Sequence, residues 1–470
     1  MTAARRFTRR VRTALRREAH DLLHAGPPTV QLLRPLGPQV PDDARVQQVL
    51  DLCMRVGEVL LSSGESAGET TETMLRMASA CGLPTVDVDI TFTSITICCH
   101  RGMSAAPVTS MRLVRYRSLD LTRLAEVAAI VERVERGEFD AEEAAAALTE
   151  AVSAPHPYPR WVATVGWAAL AASIALLLGA APITALAAFG VTALIDRVGR
   201  VLNRWGFPAF FRQVVGGMLA TGSTLALFAA GVFPPGTQPS LVVAAGTTVL
   251  LSGLSVVGSV QDAISSYFVT AAGRAAEIAL LSAGLLTGVV LGLKIGLAFG
   301  LTLEVASPLP AGSGRFSIAV LAAAAGSASF ALAGYARPQP LLAAGLAGAA
   351  GWGTYGALSQ LTAFGPVAAT GAAAIVVGVA TGLLRRRGGR VAPLVVTLAG
   401  ITPLLPGLTA YRGFYQLAVE GLAGGLVTVT LALAIGLALA AGVTLGDFLA
   451  RPRQPNRSSV VNTANEQPQQ

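Results

Sequence analysis

Beyond Arg160 the sequence is a succession of about ten apolar segments separated by short polar or proline-containing stretches. A helix of about 20 apolar residues can cross the hydrocarbon layer of a bilayer, where backbone polar groups must bond to one another. The pattern therefore predicts a polytopic α-helical membrane protein. The predicted spans, a few of them shorter than this length, are residues 161–180, 182–195, 214–233, 241–260, 278–301, 316–335, 340–358, 366–384, 391–410 and 417–441.

The charged residues divide the chain into two parts. Only 13% of the residues are charged and 53% are hydrophobic, whereas about 25% of the residues of a soluble domain carry a charge. Most of the 27 acidic residues precede Pro155. The chain therefore combines an N-terminal part in water with a larger part in lipid.

Residues 42–154 have the periodicity of a small soluble α+β domain. Apolar residues recur at three- and four-residue steps in four stretches, which predicts helices, and they alternate with polar residues after Pro84, which predicts strands. Pro155, Pro157 and Pro159 form a stiff connection to the membrane part. The predicted elements are helices at 42–62, 67–81, 119–136 and 141–152 and strands at 86–93, 95–99 and 111–116.

The first 41 residues form a basic and then proline-rich arm, with seven arginines among the first 17 residues. This composition predicts a flexible segment. Because anionic lipid headgroups are the nearest polyanion to a membrane protein, we expect the lipid bilayer, and no nucleic acid, as its partner.

The chain has no recognisable motif for a metal or a nucleotide cofactor. Its four cysteines form no CxxC pair and its four histidines are scattered, so we expect reduced, buried cysteines and no metal centre. P-loop and HExxH motifs are lacking, which argues against ATP-driven transport and zinc-dependent hydrolysis. The alternative is a membrane-anchored enzyme or sensor, although its available polar groups contain no recognisable nucleophile and base. Those groups are Glu65, Glu69, Glu72 and His100.

The arginines in the loops predict the orientation. With the soluble domain in the cytoplasm, thirteen arginines fall on the inner side and only two, Arg315 and Arg412, on the outer side. This is the positive-inside distribution. It predicts a multi-pass protein of the cytoplasmic (inner) membrane with both termini in the cytoplasm, where residues 447–470 form a disordered tail.

A weak internal repeat relates the two halves of the membrane part. Alignment of Gly253 with Gly407 places residues 249–255 over residues 403–409, near the ends of the fourth and ninth spans. Two modules of five spans result, at residues 155–305 and 306–446. Because five is odd, the second module is expected to be inverted relative to the first, as in many secondary transporters.

A break in the ninth predicted span is the first candidate site. Pro403, Pro406 and Gly407 interrupt an otherwise apolar segment. Unwound backbone can offer amide and carbonyl groups to a solute, so broken helices at corresponding places indicate a transport site. An ordinary proline kink is the alternative.

Ionisable residues in or beside the spans are the other candidates, because a charge in a membrane is costly and normally faces a cavity. Asp262, Arg274 and Glu277 flank the fourth and fifth spans. For these residues anchoring at the interface is the alternative, and for Lys294 the alternative is snorkelling. The secondary candidates are Asp196, Arg200 and Lys294.

Several motifs carry a resemblance to a known family. In the N-terminal part they are residues 60–65 (LLSSGE), 71–74 (TETM) and 82–91 (GLPTVDVDIT). In the membrane part they are Asp262, Gly273-Arg274 with Glu277, and residues 401–407 (ITPLLPG) with Tyr411, Arg412 and Gly413. With these motifs the chain resembles the threonine/serine exporter family of bacterial inner-membrane proteins over about residues 45–445.

The resemblance implies a fused form, in which a soluble domain and five spans are joined to a second five-span module. It also implies proton-coupled export of threonine, serine or similar small polar solutes. We predict Asp262 as the coupling carboxylate and the break at residues 403–407 as part of the path, with Tyr411 and Arg412 as further partners of the solute. One departure is that the counterpart of the break in the first module, residues 249–253 (VLLSG), lacks both prolines.

The sequence leaves three alternatives open. A small dicarboxylate could replace the amino acid as the solute, because hydroxyl and cationic groups bind carboxylates as well. A channel-like efflux path could replace the secondary transporter. A homo-oligomer could replace the single chain.

Overall fold

In this computed structural model the structure describes residues 42–450 except 84, 102–104, 117–118, 252, 304–314, 361–364, 387–392 and 420–421. The predicted arm at residues 1–41, and all but the first four residues of the predicted tail, lie outside the described residues. Those four residues belong to the last helix, which ends at Ala450.

Among its described residues, the N-terminal region (residues 43–153) contains four helices and three strands in the predicted order. They are α1 (Asp43–Ser62), α2 (Ala67–Ala80), β1 (Val86–Thr91), β2 (Ser94–Cys99), β3 (Val108–Leu113), α3 (Leu121–Glu135) and α4 (Ala141–Ser153).

The strands form one antiparallel sheet in the order β1-β2-β3. Its buried face includes Ile90, Ile95 and Ile97, each at most 1% exposed, and β2 and β3 pack against α1. The pairs Ser94 with Leu113 and Cys99 with Val108 fix the register of β3. This strand therefore begins three residues before the predicted start at 111, because pairing with β2 determines its position.

Beyond residue 159 the described chain is helical, with a helix or a broken helix at each of the ten predicted spans. The first helix set (residues 160–298) comprises α5 (Arg160–Leu177), α6 (Pro182–Arg204), α7 (Ala209–Ala229), α8 (Ser240–Leu250), α9 (Gly253–Ile264) and α10 (Phe268–Ala298). The second helix set (residues 316–450) comprises α11 (Phe316–Ala333), α12 (Pro338–Ser359), α13 (Pro366–Arg386), α14 (Pro393–Gly400), α15 (Gly407–Val419) and α16 (Leu422–Ala450).

Among the described helices, five are both long and apolar enough to cross a membrane by themselves. A sixth span results if α8 and α9, which are bent by 46° relative to one another, count as one. Length and composition therefore support five or six spans, and the number ten stays a prediction. The five lie in α5, α10, α11, α13 and α16.

The two helix sets pack in the same pairwise pattern. α7 packs along α10 in the first set, and α13 packs along α16 in the second. Glycines allow both contacts, since a Cβ atom on Gly288 would overlap the carbonyl oxygen of Val214 and one on Gly446 would overlap that of Ile375. Close approach of helices at small residues is typical of membrane proteins.

Candidate functional site

Two interrupted helices lie next to one another where the helix sets meet. In the first set, α8 ends at Leu250 and α9 begins at Gly253. In the second, a 3-10 turn at Thr402–Leu404 separates α14 from α15, which begins at Gly407. A Cβ atom on Gly407 would overlap the side chain of Thr248, so the two breaks are in direct contact. The two aligned glycines thus occupy equivalent positions, as first residues of the second half-helix.

A cavity of about 250 Å³ lies between these breaks, and we call it the inter-break cavity. Helix α5 and Phe330 of α11 supply apolar side chains, among them Trp167 and Ile174. The N-terminal region also reaches the cavity, through the end of α1 and the following turn. The polar residues of the lining are Ser62, Ser63, Thr248, Ser255, Arg274 and Thr402.

Three of these hydroxyl groups already donate their proton to a helix carbonyl. Ser62 donates to Val59 at 3.1 Å, Thr248 to Ala244 at 2.7 Å and Thr402 to Leu398 at 3.0 Å. A hydroxyl oxygen also has two lone pairs that can accept hydrogen bonds. The inter-break cavity can therefore offer acceptors to an ammonium or hydroxyl group of a solute.

Asp262 and Arg274 form a buried ion pair beside the inter-break cavity. Arg274 Nη1 lies 3.1 Å from Asp262 Oδ2, and the two side chains are 2% and 0% exposed. The guanidinium lies across Gly258, where a Cβ atom would be 2.8 Å from Arg274 Nη1. A buried pair of this kind is costly to break from one side, because the remaining charge would lose its partner.

The N-terminal region binds both members of this pair. The backbone N–H of Ala67, in the first turn of α2, donates to Asp262 Oδ1 at 2.7 Å. Arg274 Nη2 in turn donates to the carbonyl oxygen of Glu65 at 2.7 Å. Ser66, the N-cap of α2, lies between these two contacts. The ion pair thus connects the membrane helices to the turn that lines the cavity.

Three other predicted residues line a second, larger cavity of about 1000 Å³. Asp196 and Arg200 pair at 2.6 Å near the end of α6, and Arg200 also donates to Thr164 of α5. Glu277 lies one turn beyond Arg274 on α10 and lines the same cavity. Because Ser255 borders both cavities, the larger one adjoins the inter-break cavity.

The remaining candidates lie beside the inter-break cavity or away from it. Pro403 and Pro406 bracket the lining residue Leu405 and are not themselves part of the lining. Tyr411 is buried on α15 against Tyr415, with ring centroids 6.4 Å apart. Neither Arg412, which is partly buried, nor Lys294, which is exposed on α10, belongs to the described lining of either cavity.

Sequence reasoning missed the contribution of the N-terminal region and of Gln213. Ser62 and Ser63 belong to the motif LLSSGE, which carries the family resemblance but no predicted role. Gln213 Nε2 donates to the carbonyl oxygen of Leu250, the last residue of α8, at 3.1 Å. This bond satisfies a carbonyl group at the break. Nothing in the periodicity of α7 distinguishes this glutamine from an interfacial one.

Within the described part of the chain, no three His, Cys, Asp or Glu side chains are grouped so that they could hold a metal ion.

Two family models described as threonine/serine exporter match the chain, one at residues 51–296 and the other at residues 319–449. A Mycobacterium tuberculosis protein named "Probable threonine/serine exporter" is 40% identical over 430 residues, which cover 87% of this chain and 78% of that protein. A Corynebacterium glutamicum protein named "Threonine/serine exporter" is 35% identical over 442 residues, 93% of this chain and 89% of that protein.

No solved structure matches the chain. The first family model ends and the second begins close to the boundary between the two helix sets, and the relatives extend over most of the chain. The apolar helices and these matches together describe a membrane-embedded protein, and the chain belongs to the threonine/serine exporter family.

Proposed function

We propose that this protein is a secondary transporter that exports threonine, serine or a similar small polar solute across a cytoplasmic membrane. The observation that carries the proposal is the meeting of two broken helices, one from each helix set, at one cavity with polar lining. Broken helices at equivalent places are the usual location of solute sites in secondary transporters. The two relatives named as threonine/serine exporters support the choice of solute.

We further propose ten spans in two inverted sets of five, with both termini in the cytoplasm. The repeated pairing of α7 with α10 and of α13 with α16 supports two equivalent sets. The glycines that begin α9 and α15 support the same alignment. The distribution of arginines between the loops supports the orientation.

Within the inter-break cavity, Arg274 is the partner that we assign to the carboxylate of the solute. The hydroxyl oxygens of Thr248 and Thr402 can accept from its ammonium and hydroxyl groups. Arg274 is the only positively charged side chain among the described residues that line this cavity. A dicarboxylate would leave its second carboxylate without a cationic partner, so the lining favours a zwitterionic amino acid.

Asp262 is the coupling carboxylate in this proposal. It shares Arg274 with the solute, because the guanidinium that pairs with Asp262 also lines the inter-break cavity. A proton on Asp262 removes the charge that holds Arg274 and thereby changes the affinity for the carboxylate of the solute. This competition connects solute binding to a proton gradient.

Efflux from proteoliposomes tests the function. Purified protein is reconstituted into vesicles loaded with labelled threonine, serine or a small dicarboxylate, with and without an imposed pH difference. We expect efflux of threonine and serine above the rate of protein-free vesicles, acceleration by one direction of the pH difference, and little efflux of the dicarboxylate.

The alternatives give different results in the same vesicles. Efflux that is indifferent to the pH difference would favour a channel-like path. Faster efflux of the dicarboxylate would reject the assignment of the solute, and no efflux of any of the three would reject the function.

A further inference from the structure

The inter-break cavity has a wall that is not made of membrane helices. Ser62 and Ser63, each 6% exposed, and Gly64 belong to the N-terminal region and face the same cavity as Thr248 and Thr402. Gly64 adopts φ +97°, a conformation that glycine accommodates best, and so allows the tight turn between α1 and α2. The turn comes directly before the contacts with the ion pair.

This wall is attached to the first helix set. Ala67 N–H binds Asp262 and the Glu65 carbonyl oxygen binds Arg274, both at 2.7 Å. A second contact lies nearby, where Thr270 of α10 donates to the carbonyl oxygen of Ile90 at 2.9 Å. The attachment therefore includes polar contacts to α9 and α10, which can be exchanged for water or solute, together with packing of Phe92 on Gly273.

The same region is also attached to the second helix set. Leu121 N–H donates to the carbonyl oxygen of Gly334 at 2.8 Å, and Thr122 Oγ1 donates to that of Tyr335 at 2.5 Å. Arg337 forms an ion pair with Glu126 at 2.5 Å. The N-terminal region thus bridges both sets, and any movement of one set relative to the other must break or strain one attachment.

We propose that the N-terminal region is a removable wall of the solute site, which contacts the solute through Ser62 and Ser63 and must leave Asp262 and Arg274 for the solute to pass on this side. This inference rests on the proposed function. It assigns part of the solute site to a region outside the membrane helices. It also explains why a buried ion pair carries backbone contacts from residues about 200 positions away in the sequence.

A reversible crosslink tests the movement of the wall. A Cβ atom on Gly68 would lie 3.1 Å from Ser265 Cβ, and a disulfide needs a separation of about 3.5–4.5 Å. The double variant Gly68→Cys/Ser265→Cys should therefore form a disulfide between α2 and the end of α9 with a small adjustment. In threonine-loaded vesicles, oxidation should arrest efflux by this variant, and a reducing agent should restore it.

The single variants Gly68→Cys and Ser265→Cys are the controls, because neither can form this bond. Both should export under oxidation at the unoxidised rate. Efflux that continues in a double variant whose crosslink is complete would overturn the proposal. Absence of efflux from the wild-type chain would instead overturn the proposed function, before any crosslink is made.

A second variant tests contact with the solute without a disulfide. Ser63→Ala should raise the KM for threonine efflux about three- to tenfold, which corresponds to one lost hydrogen bond, at unchanged protein amount in the membrane. Ser79→Ala, on the exposed face of α2, is the matched control and should leave the KM unchanged. An unchanged KM in Ser63→Ala would overturn the proposal even where the double variant proves inactive in both redox states.

Discussion

At the scale of single residues, the proposed mechanism depends on the Asp262–Arg274 pair. Its two members could be selected from the sequence, because charged residues are rare in this part of the chain. The contacts of the pair with Ala67 and Glu65 could not be predicted, since periodicity gives elements and no pairing between distant loops. Removal of one member of such a buried pair destabilises the folded protein by about 3–5 kcal/mol, because the other charge stays buried without its partner.

Asp262→Asn should abolish threonine efflux while the protein stays in the membrane. The amide retains an acceptor for the Ala67 N–H but can neither carry the charge that pairs with Arg274 nor exchange a proton. Efflux is measured in vesicles that contain equal amounts of folded protein. Asp87→Asn, which changes an exposed side chain on β1, is the control. Full efflux by Asp262→Asn would remove this carboxylate from the mechanism.

The cysteines give a prediction about reactivity. Burial raises the pKa of the Cys53 thiol to about 12, so at pH 8 only about one thiol in ten thousand is in the reactive thiolate form. Cys98 is only partly buried. A maleimide should therefore label Cys98 first and Cys53 last in the folded protein, and all four cysteines in detergent-denatured protein. Mass spectrometry measures the order, and equal rates for Cys53 and Cys98 would contradict the packing of α1.

At the scale of elements, the helices and the two breaks could largely be predicted, because apolar periodicity and Pro and Gly residues are local signals. The break after Leu250 has the weaker signal, because residues 249–253 align with the proline-containing break at 403–407 but contain no proline. The packing of α7 on α10 could not be predicted, because helix periodicity does not show which helices pack together. Gly284, Gly288 and Gly292 each face α7.

Gly288→Leu should destabilise the first helix set, because its side chain would overlap the backbone of α7 at Val214. Gly222→Leu on α7 is the matched control, since no heavy atom lies within 4 Å of a Cβ atom there. Overpacking costs about 1–3 kcal/mol or more. We expect a clearly lower melting temperature in detergent for Gly288→Leu than for Gly222→Leu. Equal melting temperatures would contradict the close approach of α7 and α10.

At the scale of the whole molecule, the division into a polar N-terminal region and an apolar helical part followed from composition. The position of the N-terminal region over the inter-break cavity did not, because it depends on contacts between residues far apart in the sequence, such as Thr122 with Tyr335. The proposed inverted arrangement depends on an odd number of spans in each set, which the sequence predicts. It decides whether the two breaks approach one cavity from opposite sides of the membrane.

Equivalent loops of the two sets test this arrangement most directly. The loop between α7 and α8 contains Thr237, and its counterpart between α13 and α14 contains Arg387, which lies outside the described residues. Single cysteines at Thr237 and Arg387, in a background without the native four, are exposed in whole cells to an impermeant thiol reagent. Inversion, with both termini in the cytoplasm, predicts that Thr237→Cys is labelled and Arg387→Cys is labelled only after lysis. Labelling of Arg387→Cys alone would reverse the orientation, with the halves still inverted. Labelling of both in intact cells would contradict two inverted halves around a shared solute site.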